Sequence, residues 1–144
     1  GGKGNEGVAA NVNRVKGSIG YVEYAYVKKN KMNFMQIQNA DGKYVSPDDL
    51  TFAAAAASAD WFSVPGMGVS MVNAKGANSW PVSTASFILM YKNPADKAAS
   101  AEALKFFDWS FKNGKKMAAD LDYVALPDSL TDQIRAKVWS QIQK

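Results

Sequence analysis

The spacing of apolar residues along the chain changes several times, and each change predicts an element. Val8, Val12 and Val15 recur at intervals of four and three, which lines one face of a helix. Asn5 is a candidate N-cap, and Glu6 sits in the first turn, where the helix dipole favours a carboxylate. Gly17 follows as the stop, so a helix is predicted over Glu6 to Val15. Ser18 to Val27 reads SIGYVEYAYV, rich in β-branched and aromatic residues, and predicts a strand. Phe34–Gln38 and Lys43–Val45 are shorter strand candidates on either side of the turn Asn39-Ala40-Asp41-Gly42. Ser46-Pro47-Asp48-Asp49 carries the signals of a helix start: a serine cap, a proline at the first helical position and an acid three residues after the serine. The alanine run then extends that helix to Ala59. From Trp61 to Asn78, Pro65, Gly66, Gly68 and Gly76 predict mostly irregular backbone, with a short strand near Val69–Val72.

Val82 to Tyr91 reads VSTASFILMY and predicts a second strong strand. Its end, Phe87 to Tyr91, is continuously apolar, as for a strand covered on both faces. Leu104, Phe107 and Phe111 share one face of a helix running from Asp96 to Asn113, with Gly114 as the stop and a further turn over Lys115–Asp120. Pro127-Asp128-Ser129 opens the last helix. Ser129 and Asp132 have capping-box spacing, and Leu130, Ile134, Val138 and Ile142 form a core-facing stripe. Two strong strands and a few weak ones are too few for this many helices, since an open α/β sheet has about five or six. The pattern is α/β but incomplete, with pieces of two lobes rather than one closed domain.

Composition narrows the chemistry. The 144 residues are 47% hydrophobic and 21% charged, an ordinary globular balance. The net charge of +4 comes from 17 basic and 13 acidic residues, and the lysines are scattered apart from Lys28-Lys29 and Lys115-Lys116. That dispersal does not make the concentrated face a nucleic acid needs, so no nucleic-acid partner is expected. Without cysteine or histidine there is no disulfide, no thiolate nucleophile, no zinc site of the Cys/His kind and no Ser-His-Asp triad. No cofactor and no metal are expected. No apolar run is long enough for a membrane-spanning helix. The start Gly1-Gly2-Lys3-Gly4, without an initiator methionine, is expected of a processed, truncated or cleaved chain.

Four candidate sites can be weighed. The glycine-rich start lacks the GxxxxGK[ST] spacing of a phosphate loop, so it reads first as a linker into a helix, whose bare N-terminus could still meet an anion. Ser79, Ser83, Thr84 and Ser86 could bind an oxyanion or could simply flank a buried strand. Asp120 and Asp122 lack the further ligands of a calcium loop and read as a structural turn. Glu23 is either a buried functional acid or a residue on a solvent-facing edge. No nucleophile stands beside a base, and no enzyme is expected.

Several segments, taken together, carry a resemblance. They are GGKGNEGVAA at Gly1–Ala10, GSIGYVEYAY at Gly17–Tyr26, DGKYVSP at Asp41–Pro47, WPVSTASFIL at Trp80–Leu89, LKFFDW at Leu104–Trp109 and DLDYVALPDS at Asp120–Ser129. In this order the chain resembles the C-terminal half of the periplasmic phosphate-binding receptors of bacterial ABC importers. The resemblance implies a type II periplasmic binding protein-like fold: two α/β lobes joined by crossing strands, closing on phosphate about a hinge. It implies that residues 1–78 are part of the second lobe and that 79–144 supply a crossing strand and helices of the first. Trp80 and Pro81 are the hinge candidates.

The family holds phosphate with hydroxyls, backbone N–H groups, an arginine and an aspartate. These lie in its N-terminal half and in an Arg-Ser-Asp-Gly-Ser-Gly-Thr type motif. No segment here matches that motif, whose place is upstream of Gly1, so no ligand-binding residue is expected in this chain. The implied partners are inorganic phosphate, bound together with the missing N-terminal half, and the membrane subunits of an ABC importer. The missing half is expected as a second chain, or else self-association. The implied location is the bacterial periplasm. Two other readings stay open: a structural or interaction fragment that binds no ligand, and, against the absent histidine and cysteine, an enzyme on the same fold.

Overall fold

Six α-helices and one two-stranded sheet make up the regular structure of residues 1–143, the part described by the computed structural model. α1 spans Gly4–Arg14. It starts before the expected Asn5 cap because the Gly7 N–H already closes on the Lys3 carbonyl at 3.2 Å. The Asn5 side chain instead accepts the Glu23 N–H at 3.3 Å. Val8 and Val12 of the predicted stripe are half-buried, while Val15 is exposed.

The strand expected over Ser18–Val27 does not form. Residues 18–23 are non-helical and unpaired, and Tyr24–Lys29 is a helix, α2. The physical reason is the lack of a neighbour, since β-propensity expresses itself only where a strand has something to pair with. The segment packs on α1 instead. Gly20 lies so close that a Cβ there would stand 2.9 Å from methyl groups of both Val8 and Val12. Beyond it, Lys28 and Lys29 in the last turn favour the helical dipole.

The two short strand candidates do pair, over fewer residues than expected. β1 (Ile37–Gln38) and β2 (Tyr44–Val45) are antiparallel, with Ile37 opposite Val45 and Gln38 opposite Tyr44. Gly42, at φ +73°, turns the chain between them, which is the conformation the Asp-Gly pair predicts.

α3 (Asp49–Ser58) is capped by Asp48 rather than Ser46. Asp48 Oδ1 accepts the Thr51 N–H at 2.8 Å, and Thr51 Oγ1 accepts the Asp48 N–H at 3.0 Å. This reciprocal pair satisfies two otherwise orphaned donors, a stronger start signal than the serine alone. Ala55 and Ala56 on α3 join Trp61, Met71 and Leu130 in the main buried cluster, with Phe62, Leu126 and Ile134 packed around it. The cluster thus draws on residues from both sides of the expected 78/79 division. Trp61 Nε1 donates to the Ala56 carbonyl at 2.8 Å, so the indole is buried without an orphaned donor. Residues 61–78 are irregular as expected, with one 3-10 turn at Pro65–Met67, and no strand forms near Val69–Val72.

The second strong strand, Val82–Tyr91, is also absent as a strand. Among the described residues none of its backbone N–H groups donates a hydrogen bond. The apolar end, expected to be covered on both faces, is open: Leu89 is 93% exposed. Again no neighbouring strand is there to pair.

α4 (Lys97–Asn113) and α5 (Lys115–Asp120) follow the predicted helices closely, while α6 (Asp128–Lys137) ends before Val138 and Ile142, the last two residues of the expected stripe. Asp96 caps α4 through the Ala99 N–H. The capping box expected of Ser129 and Asp132 is not made, since the N-cap of α6 is Pro127, two residues earlier, without a side-chain hydrogen bond. Leu104 is buried, and Phe111 stacks on Trp139 of the 3-10 turn after α6 with ring centroids 5.4 Å apart. Phe106 and Trp109 lie on the other side of α4 and are exposed.

The accessible surface is 10060 Å² for 15.6 kDa. A closed monomer of this mass exposes about 7,300 Å². The excess is larger than the roughly 1,600 Å² that a standard protein–protein interface removes.

Candidate functional site

Ser79, Trp80 and Pro81 form a buried, hydrogen-bonded irregular segment. All three are buried, Ser79 to 1% exposure. The Trp80 N–H donates to the Thr51 carbonyl at 3.0 Å, and the Pro81 carbonyl accepts the Asn73 N–H at 2.8 Å. A run of edge-on aromatic contacts, Phe34 to Tyr24 to Phe52 to Trp80, ties the indole back to α2 and α3.

The residue behind this arrangement is Asn39, in the hairpin turn. Its amide nitrogen reaches the carbonyls of Gly76, Ala77 and Ser79 at 3.0–3.2 Å, and its Oδ1 accepts the N–H groups of Asp41 and Lys43. Sequence reasoning saw only a turn here. The available signal was an asparagine two residues before Asp-Gly, the position from which its side chain can bond the backbone of its own turn. The second half of its role, toward residues 76–79, has no local signature.

The hydroxyl cluster does not converge. Ser79 Oγ donates to the Lys75 carbonyl at 2.7 Å and Ser83 Oγ to the Trp80 carbonyl at 3.1 Å, while Thr84 and Ser86 are exposed. Two of the four hydroxyls therefore serve the local backbone.

The acids are each spoken for. Asp120 pairs with Lys116 and Asp122 with Lys28. The Asp122 carboxylate, through its hydrogen bond, pushes the Lys28 ammonium above its ordinary value. Glu23 is exposed and accepts the Tyr123 hydroxyl at 3.4 Å, so it is not a buried acid. At the glycine-rich start, Glu6 occupies the first turn of α1 and accepts the Tyr26 hydroxyl at 2.7 Å. That hydrogen bond, with help from its own backbone N–H and Lys29, holds the Glu6 carboxyl below the usual range. A carboxylate already placed at the helix N-terminus opposes a second anion there. No group of three or more acids able to hold a metal exists among the described residues.

One large groove remains, about 1780 Å³ and open to solvent. The unpaired segments 18–23 and 82–90 line it, together with Phe106 and Trp109 of α4 and Leu130 of α6. It is lined mainly by apolar side chains and has no convergent catalytic group.

No family model matches the chain. Individual proteins do, several of them phosphate-binding proteins. The chain is 48% identical over 143 residues to the phosphate-binding protein PstS of Pasteurella multocida, covering 99% of this chain and 42% of that protein. It is 50% identical over 136 residues to PstS of Xylella fastidiosa (94% and 37%) and 43% identical over 144 residues to PstS of Haemophilus influenzae (100% and 43%). The chain is thus related to the PstS phosphate-binding proteins along its whole length, while spanning about two fifths of theirs. This relation carries a periplasmic binding protein fold, and the chain itself is mixed helix and sheet.

Proposed function

We propose that this chain is the C-terminal segment of a periplasmic receptor that binds inorganic phosphate and hands it to the membrane subunits of an ABC importer. The observation that carries the reading is the identity of 43–50% to PstS proteins over nearly the whole chain. In this reading the parent has the two-lobed, type II architecture. Residues 1–78 contribute to its second lobe, and 79–144 supply the crossing segment Val82–Tyr91 and helices of the first. Trp80-Pro81 lies at the hinge between them.

The chain on this account holds no phosphate ligand of its own, which agrees with a hydroxyl cluster that does not converge, two of its four hydroxyls being bonded to nearby carbonyls, and with Asp120 and Asp122 paired to lysines. Its exposed apolar run and its excess surface support a role as one part of a larger body. The rest of the receptor, or a second copy when the rest is lacking, covers the groove. The test is calorimetric titration of inorganic phosphate into the purified chain, shown by denaturing mass spectrometry to be free of any second chain. No saturable heat is expected. One-site binding would overturn the claim that the ligands lie elsewhere.

A further inference from the structure

Hydrogen bonding along the backbone changes abruptly at Pro81. Before it, Ser79 is held by the Gly76 carbonyl, Trp80 by the Thr51 carbonyl and the Pro81 carbonyl by Asn73. After it, no N–H from Val82 to Tyr91 donates to any described residue. Val82 itself is 61% exposed, against 8% for Trp80.

Asn39 stands behind the held side. It is 5% exposed, and its two amide hydrogens are shared among the carbonyls of Gly76, Ala77 and Ser79. Its Oδ1 is fixed in turn by two N–H groups of the hairpin turn. Asp41 of the same turn accepts the Gly76 N–H at 3.2 Å. The hairpin and the segment 76–79 are therefore riveted together by side chains of a single turn. The Gly76 carbonyl also accepts the Ser79 N–H, so loss of the Asn39 amide leaves two acceptors, the Ala77 and Ser79 carbonyls, without a partner at once.

We propose that Asn39 is a positioning residue that fixes Ser79-Trp80-Pro81 to the first part of the chain, so that any rotation between 1–78 and 79–144 is taken up from Val82 onward. This rests on the two-lobed reading above and deepens its hinge: Trp80-Pro81 becomes the fixed shoulder, and Val82-Ser83-Thr84 the segment that turns. Among the described residues, the only hydrogen bond from Val82 to Thr84 is that of Ser83 Oγ to the Trp80 carbonyl. The backbone N–H groups there are unpartnered, and Ala85 is the next residue packed on the main cluster. There φ and ψ can change at less cost than at Trp80, which would have to leave its buried site and its bond to Thr51.

The test is residue-resolved amide hydrogen exchange on the whole chain, for the wild type, Asn39→Ala and Asn39→Asp. Expected in the wild type is a step, with Ser79 and Trp80 protected and Val82–Ser86 exchanging at least tenfold faster. Asn39→Ala and Asn39→Asp should each speed exchange at Gly76, Ser79 and Trp80 by roughly tenfold, as for loss of a buried hydrogen-bond partner, and leave α4 and α6 unchanged. Equal protection on both sides of Pro81 in the wild type would overturn the proposal without needing either variant to fold. Acceleration spread evenly over the chain would overturn it too, since Asn39 would then support stability in general. Neither result depends on phosphate, so this proposal and the receptor reading fail separately.

Discussion

Arg135 on α6 donates from Nε to Asp108 Oδ1 on α4 at 2.7 Å, and its guanidinium lies over the rings of Phe111 and Trp139. Lys112 and Arg135 together hold the Asp108 carboxyl below its ordinary value of 3.8, first through Lys112's hydrogen bond and then through Arg135's. A depressed carboxyl contributes stability that is present above the unfolded value and lost as pH falls through the lower, folded one. Asp108→Asn should therefore lower the melting temperature at neutral pH and reduce the further loss below pH about 4. Thermal unfolding of both proteins across pH 2–7 checks this. Equal melting temperatures at pH 7 would show that the pair holds nothing together.

Asp48→Ala removes one half of the reciprocal cap of α3. Loss of an N-cap costs about 1 kcal/mol, and α3 carries Ala55 and Ala56 into the main cluster. Denaturant unfolding should show that loss, with Asp48→Ser close to the wild type. A serine at position 48 that behaves like alanine would contradict the capping assignment.

Most helices were legible in the sequence, and for a common reason. α4, α5 and α6 rest on local periodicity and on stop signals such as Gly114, which act within the segment itself. The hairpin was legible too, because Asp41-Gly42 fixes its turn. The strands at Ser18–Val27 and Val82–Tyr91 were misread because strand formation depends on a neighbour, and sequence pattern reports only the readiness to pair. The caps of α1, α3 and α6 each lie two residues from the side chain read as the cap, at Lys3, Asp48 and Pro127. The firmest part of the candidate site, the bonds from Asn39 to residues 76–79, joins segments far apart in sequence and left only its local half to be read.

Gly20→Val should pry residues 18–23 away from α1. The new Cβ alone would stand 2.9 Å from methyl groups of Val8 and Val12, closer than such atoms are found. Overpacking of this kind costs roughly 1–3 kcal/mol. Faster exchange or proteolysis confined to residues 17–23 would be the expected outcome, and an unchanged pattern would contradict the packing described.

The open run Val82–Tyr91 predicts that the isolated chain self-associates. Exposed, unpaired, apolar backbone templates pairing with another chain. Sedimentation velocity should show a concentration-dependent rise in mass, reduced in the double variant Ile88→Lys, Leu89→Lys, whose positions are both exposed. A wild-type chain that stays monomeric at high concentration would contradict this.

The central claim is that these residues are one part of a phosphate receptor whose ligands lie in the other part. The most direct measurement adds the preceding part of the P. multocida relative, as a separate chain, to this one and repeats the phosphate titration. The account predicts no binding by either chain alone and one-site binding by the pair. Saturable binding by this chain alone, or none by a pair that demonstrably associates, would contradict it.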